Sequence, residues 1–166
     1  MRCRLAQTDD RAALERISRT IGILKAEEVA YVMSRFDERS TDGNVGRGVW
    51  SRWWVLDVGG DVLAVAMAEP EPLADRVMNL RFIAVDPAVQ GRGYGSTLLR
   101  AVRSALSESR LWIVETEATD RFAGVRRWYE REGFLWSGEV PDFYAEGVGK
   151  TVFWQRLDTD TSETSR

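Results

Sequence analysis

Between Val85 and Ser96 the chain reads Val-Asp-Pro-Ala-Val-Gln-Gly-Arg-Gly-Tyr-Gly-Ser, with glycines at 91, 93 and 95. An apolar run precedes this segment and an amphipathic one follows it, so the glycines fall where a strand turns into a helix. The first N–H groups of a helix have no intrahelical acceptor, and the helix dipole adds partial positive charge at the same end. Glycine lets the backbone come close to a ligand. Such a turn binds anions, and phosphates above all. Arg92 adds a local positive charge to a chain whose net charge is −3.

Two familiar phosphate motifs fit poorly. A nucleoside-triphosphate loop needs Gly-Lys followed by Ser or Thr, and that is absent. Gly91, Gly93 and Ser96 nearly fit a dinucleotide fingerprint, with Glu115 as its acidic residue. That fingerprint places its glycines directly after the strand, whereas Asp86-Pro87-Ala88-Val89-Gln90 intervene here. The chain has no histidine. This removes Ser-His-Asp and Cys-His nucleophiles and zinc sites built on imidazole. Acid–base chemistry must come from Asp, Glu, Tyr, Lys, Cys3, backbone or water. Cys3 is the single cysteine, expected to be a small apolar filler.

The elements that would hold these residues can be read from periodicity. Residues 2–7 predict a short strand, and Thr8 an N-cap, with Asp9 and Asp10 in a first helical turn. Leu14, Ile17 and Ile21 recur at helical spacing, and a second helix is expected from about Lys25 to Arg39. Ser40–Gly48 reads as a loop. Val49–Val58 and Val62–Ala68 predict strands joined by a turn at Gly59-Gly60-Asp61. Val77–Val85 predicts a longer strand, with Met78, Leu80, Phe82 and Ala84 on one face and Asn79, Arg81 and Ile83 on the other. Leu98, Leu99, Val102, Ala105 and Leu106 form a helical stripe. Leu111–Glu115 predicts a buried strand, Phe122–Glu132 a helix closed by Gly133, and Phe134–Glu139 and Thr151–Leu157 two final strands around a loop at Pro141–Lys150. The order implies an α/β (α+β) fold: a mixed, mostly antiparallel sheet of about six to seven strands flanked by helices.

With 166 residues, 44% of them hydrophobic, the chain suits one domain over residues 1–157, with a disordered tail at 158–166. The acidic balance argues against a nucleic-acid partner. No apolar run is long enough for a bilayer, and a charged N-terminal segment leads us to expect a cytoplasmic protein.

The segment Ile83-Ala84-Val85-Asp86-Pro87 followed by Gln90-Gly91-Arg92-Gly93-Tyr94-Gly95 resembles motif A of the GNAT superfamily of N-acetyltransferases. Gln90, Gly93 and Gly95 fill that family's Q/R-x-x-G-x-G/A pattern. Arg127-Trp128-Tyr129-Glu130-Arg131-Glu132-Gly133-Phe134 is similar to its later helix, which ends in a Tyr-Glu-x-x-Gly-Phe pattern. Val140–Tyr144 and Lys150–Phe153 resemble the closing loop and strand of one acetyltransferase subgroup. The resemblance implies the GNAT fold and an acetyl-CoA-dependent transfer to a primary amine on a small molecule or peptide, without a metal. It implies that Ile83, Ala84 and Val85 offer backbone donors to the acetyl and pantetheine groups. Gln90, Gly91, Arg92, Gly93, Tyr94, Gly95 and Ser96 would then hold the pyrophosphate. Tyr129 matches the tyrosine that protonates the leaving thiolate, against the alternative of a core tyrosine beside Trp128. Glu115, at the end of its strand, is a candidate base, directly or through water. Glu117 fits a solvated strand end or a salt bridge better. Phe122 stands where the family often has a cofactor-contacting Asn.

Trp50, Trp53 and Trp54 read as core or dimer surface, or as an acceptor lining. Arg81, Asp142 and Tyr144 read as acceptor contacts or surface residues. Exposed aromatics allow a homodimer. Two rivals remain at this stage: a non-catalytic acyl-CoA-binding regulatory module and, more distantly, a nicotinamide-dependent oxidoreductase.

Overall fold

The computed structural model describes residues 1–38 and 51–157. The expected loop at 40–48, Trp50 and the expected disordered tail lie outside the described residues. Among the described residues there are seven strands and four α-helices. They are β1 (Arg2–Leu5), α1 (Arg11–Thr20), α2 (Ala26–Asp37), β2 (Arg52–Val58), β3 (Asp61–Pro70), β4 (Val77–Val85), α3 (Tyr94–Ala105), β5 (Leu111–Glu117), α4 (Ala123–Arg131), β6 (Leu135–Ala145) and β7 (Val148–Arg156). The strands form a mixed sheet in the order β1-β2-β3-β4-β5-β7-β6. The chain falls into two compact units, one of Met1–Pro70 and Arg81–Ala105, the other of Glu71–Leu80 and the chain from Leu106 onward.

The first unit is built on antiparallel β1, β2 and β3. Alternation along its strands sends Trp53, Val55, Val65, Met67, Phe82 and Ala84 into one core, joined by Leu14 and Ile17 of α1 and Val29, Val32, Met33 and Phe36 of α2. Phe36 meets Trp53 edge-on at 5.4 Å. The intervening residues of β3 are Ala64, Ala66 and Ala68, all fully buried. Their small side chains leave room for α3, which packs on β2 and β3 with Leu98, Leu99 and Val102 buried. Ala105, expected in that stripe, is exposed. Trp53 and Trp54 are buried, so both belong to the core and neither lines an open surface. At the N-terminus, Thr8 is not a helix cap. Residues Thr8–Asp10 form a 3-10 turn, because Asp10 reaches back to accept the Gln7 N–H at 2.7 Å and two bonds from Arg4.

In the second unit, Val77–Leu80 of β4 pairs in parallel with Leu111–Val114 of β5. β5 pairs antiparallel with β7, and β7 with β6. The loop expected at Pro141–Lys150 is instead mostly strand. β6 runs through Ala145, its register slips between Val140 and Ala145, and Asp142 absorbs the irregularity with φ of 53°. Asp142 Oδ1 then accepts the Gly147 N–H at 2.7 Å, which closes a tight turn through Glu146 and Gly147 in place of a loop. Asn79 is fully buried, with its amide donating to Glu71 Oε1 at 2.6 Å.

The end of α4 explains why the spacing Tyr129-x-x-x-Gly133-Phe134 matters. Phe134 N–H donates to Tyr129 C=O, and Gly133 N–H to Glu130 C=O, both at 3.0 Å. This is a Schellman cap. Gly133 sits at φ of 91°, and the Phe134 ring lies 5.4 Å from the Tyr129 ring. Gln155 of β7 donates to the Glu132 and Gly133 carbonyls and accepts from Trp112 Nε1 at 3.0 Å. A Cβ at position 133 would lie 2.7 Å from Gln155 Nε2. Gly133→Ala is expected to cost about 1–2 kcal/mol for the left-handed backbone alone. Thermal unfolding should show a Tm several degrees below the parent, and an unchanged Tm would mean that the cap does not hold this unit together.

Candidate active site

The approach to the glycine turn is fixed from behind. At the end of β4, Asp86 N–H donates to Leu63 C=O at 2.8 Å. The Asp86 carboxylate caps the short 3-10 turn Pro87–Val89 by accepting the Ala88 N–H at 3.0 Å. Its second oxygen takes Arg16 Nη1 from α1, and Arg16 Nη2 continues to Val62 C=O at 3.1 Å. The Arg16 guanidinium, helped by the Ala88 N–H, holds the Asp86 carboxyl below the ordinary aspartate range. Gln90 Nε2 donates to Val85 C=O at 3.2 Å. The five residues between strand and first glycine therefore form a braced elbow, which a dinucleotide turn would not contain.

Beyond that elbow, Gly91 and Gly93 have φ of 78° and 79°. Arg92 between them keeps a negative φ, since it is absent from the positive-φ residues. Alternation of this kind turns successive N–H groups toward one side. A Cβ at either glycine would meet no atom within 4 Å. Glycine is thus required by backbone conformation, and the space in front of the turn is open. Gly93 lies just before the helix and not inside it. Its carbonyl accepts both Thr97 N–H at 3.0 Å and Thr97 Oγ1 at 3.1 Å. Thr97 makes the first helical bond, and the N–H groups of Tyr94 and Gly95 precede it. Gly91, Arg92 and Gly93 are exposed. Ile83 and Val85 are half-buried, and the Ala84 side chain enters the core.

The second unit carries the other candidates. Tyr129 is buried, 4% exposed, with its ring against Trp128, Phe134 and Phe153. Burial alone pushes its phenol up from the ordinary tyrosine value. Glu115 Oε1 accepts from Lys150 Nζ at 3.1 Å. The same Nζ lies 3.8 Å from the centre of the Phe143 ring. Glu117 accepts from Thr119 Oγ1 at 3.3 Å, and Arg126 Nη1 donates to the Glu117 and Thr119 carbonyls. The contact of Lys150 with Glu115, the Gln155 bridge and the Arg16 anchor carry no motif in the sequence. Only the strand register and the tertiary contacts reveal them.

The remaining candidates are also placed. Arg81 Nε lies 3.6 Å from the buried Glu69, which Arg35 also holds. Asp142 is used in its hairpin turn, and Tyr144 is exposed against Phe143. Phe122 is the N-cap residue of α4 and makes no side-chain cap bond. Arg121 lies 5.9 Å over its ring. Among the described residues, no three Cys, Asp or Glu side chains are grouped to hold a metal ion.

A family model for the GNAT acetyltransferase domain matches residues 49–134. The chain belongs to the GNAT acetyltransferase family. The match covers the turn at 90–96 and ends on the Schellman cap of α4. Among solved structures, a GNAT-family protein from Desulfovibrio desulfuricans is 26% identical, with a TM-score of 0.87 over 95% of this chain and 99% of that one. The ribosomal-protein-S18-alanine N-acetyltransferase of Escherichia coli is 18% identical, with a TM-score of 0.74 over 99% of both chains. A Salmonella typhimurium protein solved with its cofactor acetyl-CoA is 18% identical, with a TM-score of 0.73 over 99% of this chain and 98% of that one. No curated protein matches it by sequence. The last two structures support the shared fold.

Arg16 and Asp86 brace the approach to the turn. Replacing Arg16 with Met removes two bonds and leaves a nearly buried carboxylate without its cation. The KM for acetyl-CoA is expected to rise about tenfold, the equivalent of one lost charge-assisted bond, with kcat unchanged and partial recovery in Arg16→Lys. Asp86 has a lowered folded pKa, so its contribution to stability is present above about pH 4 and is lost as pH falls through the folded value. Steady-state kinetics with acetyl-CoA varied, and acid unfolding of parent and variant, check both. An unchanged KM in Arg16→Met would show that the brace does not position the turn.

Proposed function

We propose that this acetyltransferase seats the pyrophosphate of acetyl-CoA on the turn Gln90–Ser96 and passes the acetyl group to a primary amine of a small molecule or peptide. The reading rests on one observation above others. Gly91 and Gly93 hold left-handed conformations that only glycine adopts without strain, beside open space and at the start of α3. That arrangement offers backbone donors and a helix dipole to a phosphate, and Arg92 supplies charge. Ile83, Ala84 and Val85 then serve as backbone donors along the pantetheine arm. A donor aimed at the thioester oxygen is worth several kcal/mol as negative charge develops there.

Three steps follow from the chemistry. The amine gives up a proton, its lone pair attacks the thioester carbonyl, and the carbon–sulfur bond breaks to release a thiolate. Glu115 is the base in this reading, directly or through a water. Tyr129 is the acid. A phenol is protonated at neutral pH and so has a proton to give to the thiolate, and its burial, which pushes its pKa up, sets how strong an acid it is. The charged N-terminal segment and the single cysteine suit a cytoplasmic enzyme, and no described helix is long and apolar enough to cross a membrane. Residues 1–157 act as one catalytic domain in this account. The exposed β6 residues Trp136, Phe143 and Tyr144 are the surface on which a homodimer would form.

Tyr129→Phe tests the assignment cleanly, because the ring that packs on Phe134 and Phe153 is kept. The expected result is a kcat lower by about 100-fold or more, with the KM for acetyl-CoA and the Tm near the parent values. Release of CoA thiol across a panel of amines provides the assay. Full turnover in the variant would remove Tyr129 from the acid role. A chain whose Tm is not raised by acetyl-CoA would overturn the donor assignment itself.

A further inference from the structure

We infer that Lys150 is an internal acetyl acceptor, a self-modification site held against the candidate base. The inference rests on the assignment of Glu115 as base.

The chain has two lysines, Lys25 and Lys150, among 23 basic residues. They stand in opposite settings. Lys25 heads α2 on the surface. Lys150 lies on β7, its side chain only 14% exposed, with Nζ 3.1 Å from Glu115 Oε1. The register explains the meeting: Glu115 pairs with Val152 and Glu117 with Lys150. Residues two apart on a strand share a face, so Glu115, Glu117 and Lys150 lie together. The Phe143 ring, 3.8 Å away, steadies the cation from another side. A primary amine is thus fixed within general-base reach of a carboxylate, in the arrangement that an external ammonium group would need.

The step balances without any oxidant or reductant. Glu115 takes one proton from the Lys150 ammonium. The freed Nζ lone pair attacks the acetyl carbonyl carbon of acetyl-CoA. A carbon–nitrogen bond forms as the carbon–sulfur bond breaks, and the tetrahedral adduct gives up its second nitrogen proton. CoA leaves as a thiolate and is protonated. The products are Nε-acetyl-Lys150 and CoA. Acetylation removes the charge of Lys150, so Glu115 loses this ion-pair partner and the Phe143 ring loses its cation.

Chemical acetylation by a reactive acyl donor follows exposure, and would mark Lys25 and the Met1 amine before Lys150. The test is to incubate the full chain with acetyl-CoA at neutral pH and to map acetyl groups by intact-mass and peptide mass spectrometry. Acetylation at Lys150 is expected to run about 100-fold faster than at Lys25, the lower range of what a positioned acid–base group supplies. Lys150→Arg should abolish the fast phase. Glu115→Gln should slow it by a similar factor while acetyl-CoA still raises the Tm. Lys150 remaining unmodified, or reacting no faster than Lys25, while acetyl-CoA still raises the Tm would overturn the inference and leave the proposed function standing. An equal rate in Glu115→Gln would overturn the role of the carboxylate. If acetyl-CoA neither raises the Tm nor is consumed, the proposed function fails and this inference falls with it.

Discussion

Much of the polar bonding of the first unit converges on one place: the approach to the N-terminus of α3. A helix start in a folded protein is usually satisfied by a side-chain cap. Here Gly93 occupies the position before the helix and has no side chain to offer. The polar groups of the approach are instead consumed one turn earlier, by Asp86, Gln90, Arg16 and the Leu63 carbonyl. That separation matters energetically. Each satisfied group upstream fixes the chain without drawing on the N–H groups downstream. The glycines then supply a conformation that no neighbouring side chain enforces, since nothing lies within 4 Å of a Cβ at either position. The turn is held by its anchor and left open at its front.

The second unit solves a different problem, the placement of a hydroxyl in an apolar cluster. Tyr129 stacks among Trp128, Phe134 and Phe153, and Trp112 lies parallel to Phe134 at 4.9 Å. The rings stabilise one another through area and edge contacts. The cost falls on the phenol, whose ionised form is disfavoured by burial. For folding, the sign is clear. The native state keeps the proton that the unfolded state releases near pH 10, so stability falls as pH rises beyond that value. The same burial makes the phenol a weaker acid than an exposed tyrosine, and it is protonated throughout the neutral range.

Sequence periodicity located most of this architecture, because the strands of the first unit are runs of strand-forming residues and the turn residues are explicit. The bounds of β4 came out as read. The glycine turn and the Tyr129–Phe134 cap were legible because each depends on a local backbone requirement that few residue types meet. The misreadings share a cause. Pro141, Asp142 and Gly147 look like a loop, yet β7 offers a partner strand that absorbs the irregularity at Asp142. Thr8 looks like a cap, but Arg4 and the Gln7 N–H draw Asp10 into a competing turn. Asn79 alternates with apolar residues, and Glu71 supplies the acceptor for its amide in the buried position. In each case a partner that hydrophobic periodicity does not register decided the outcome. The partner of Glu115 was hidden for the same reason, since Lys150 is 35 residues away.

The choice of cations follows from what this chemistry would do to them. Arginine stays protonated at any working pH and has no lone pair to attack a thioester. Lysine can lose its proton and become a nucleophile. A chain that handles an activated acetyl group can therefore carry guanidinium charge without the risk of modification that lysine brings, and 21 of its 23 basic residues are arginine. An ammonium group is tolerable only where it is remote or where its reaction has a consequence. Lys25 is exposed at the head of α2. Lys150 is held by a carboxylate on the face that also carries Glu117. Its ion pair with Glu115 ties the state of a candidate base to the state of one amine, so the charge on that amine is the variable through which this unit could respond to its own substrate.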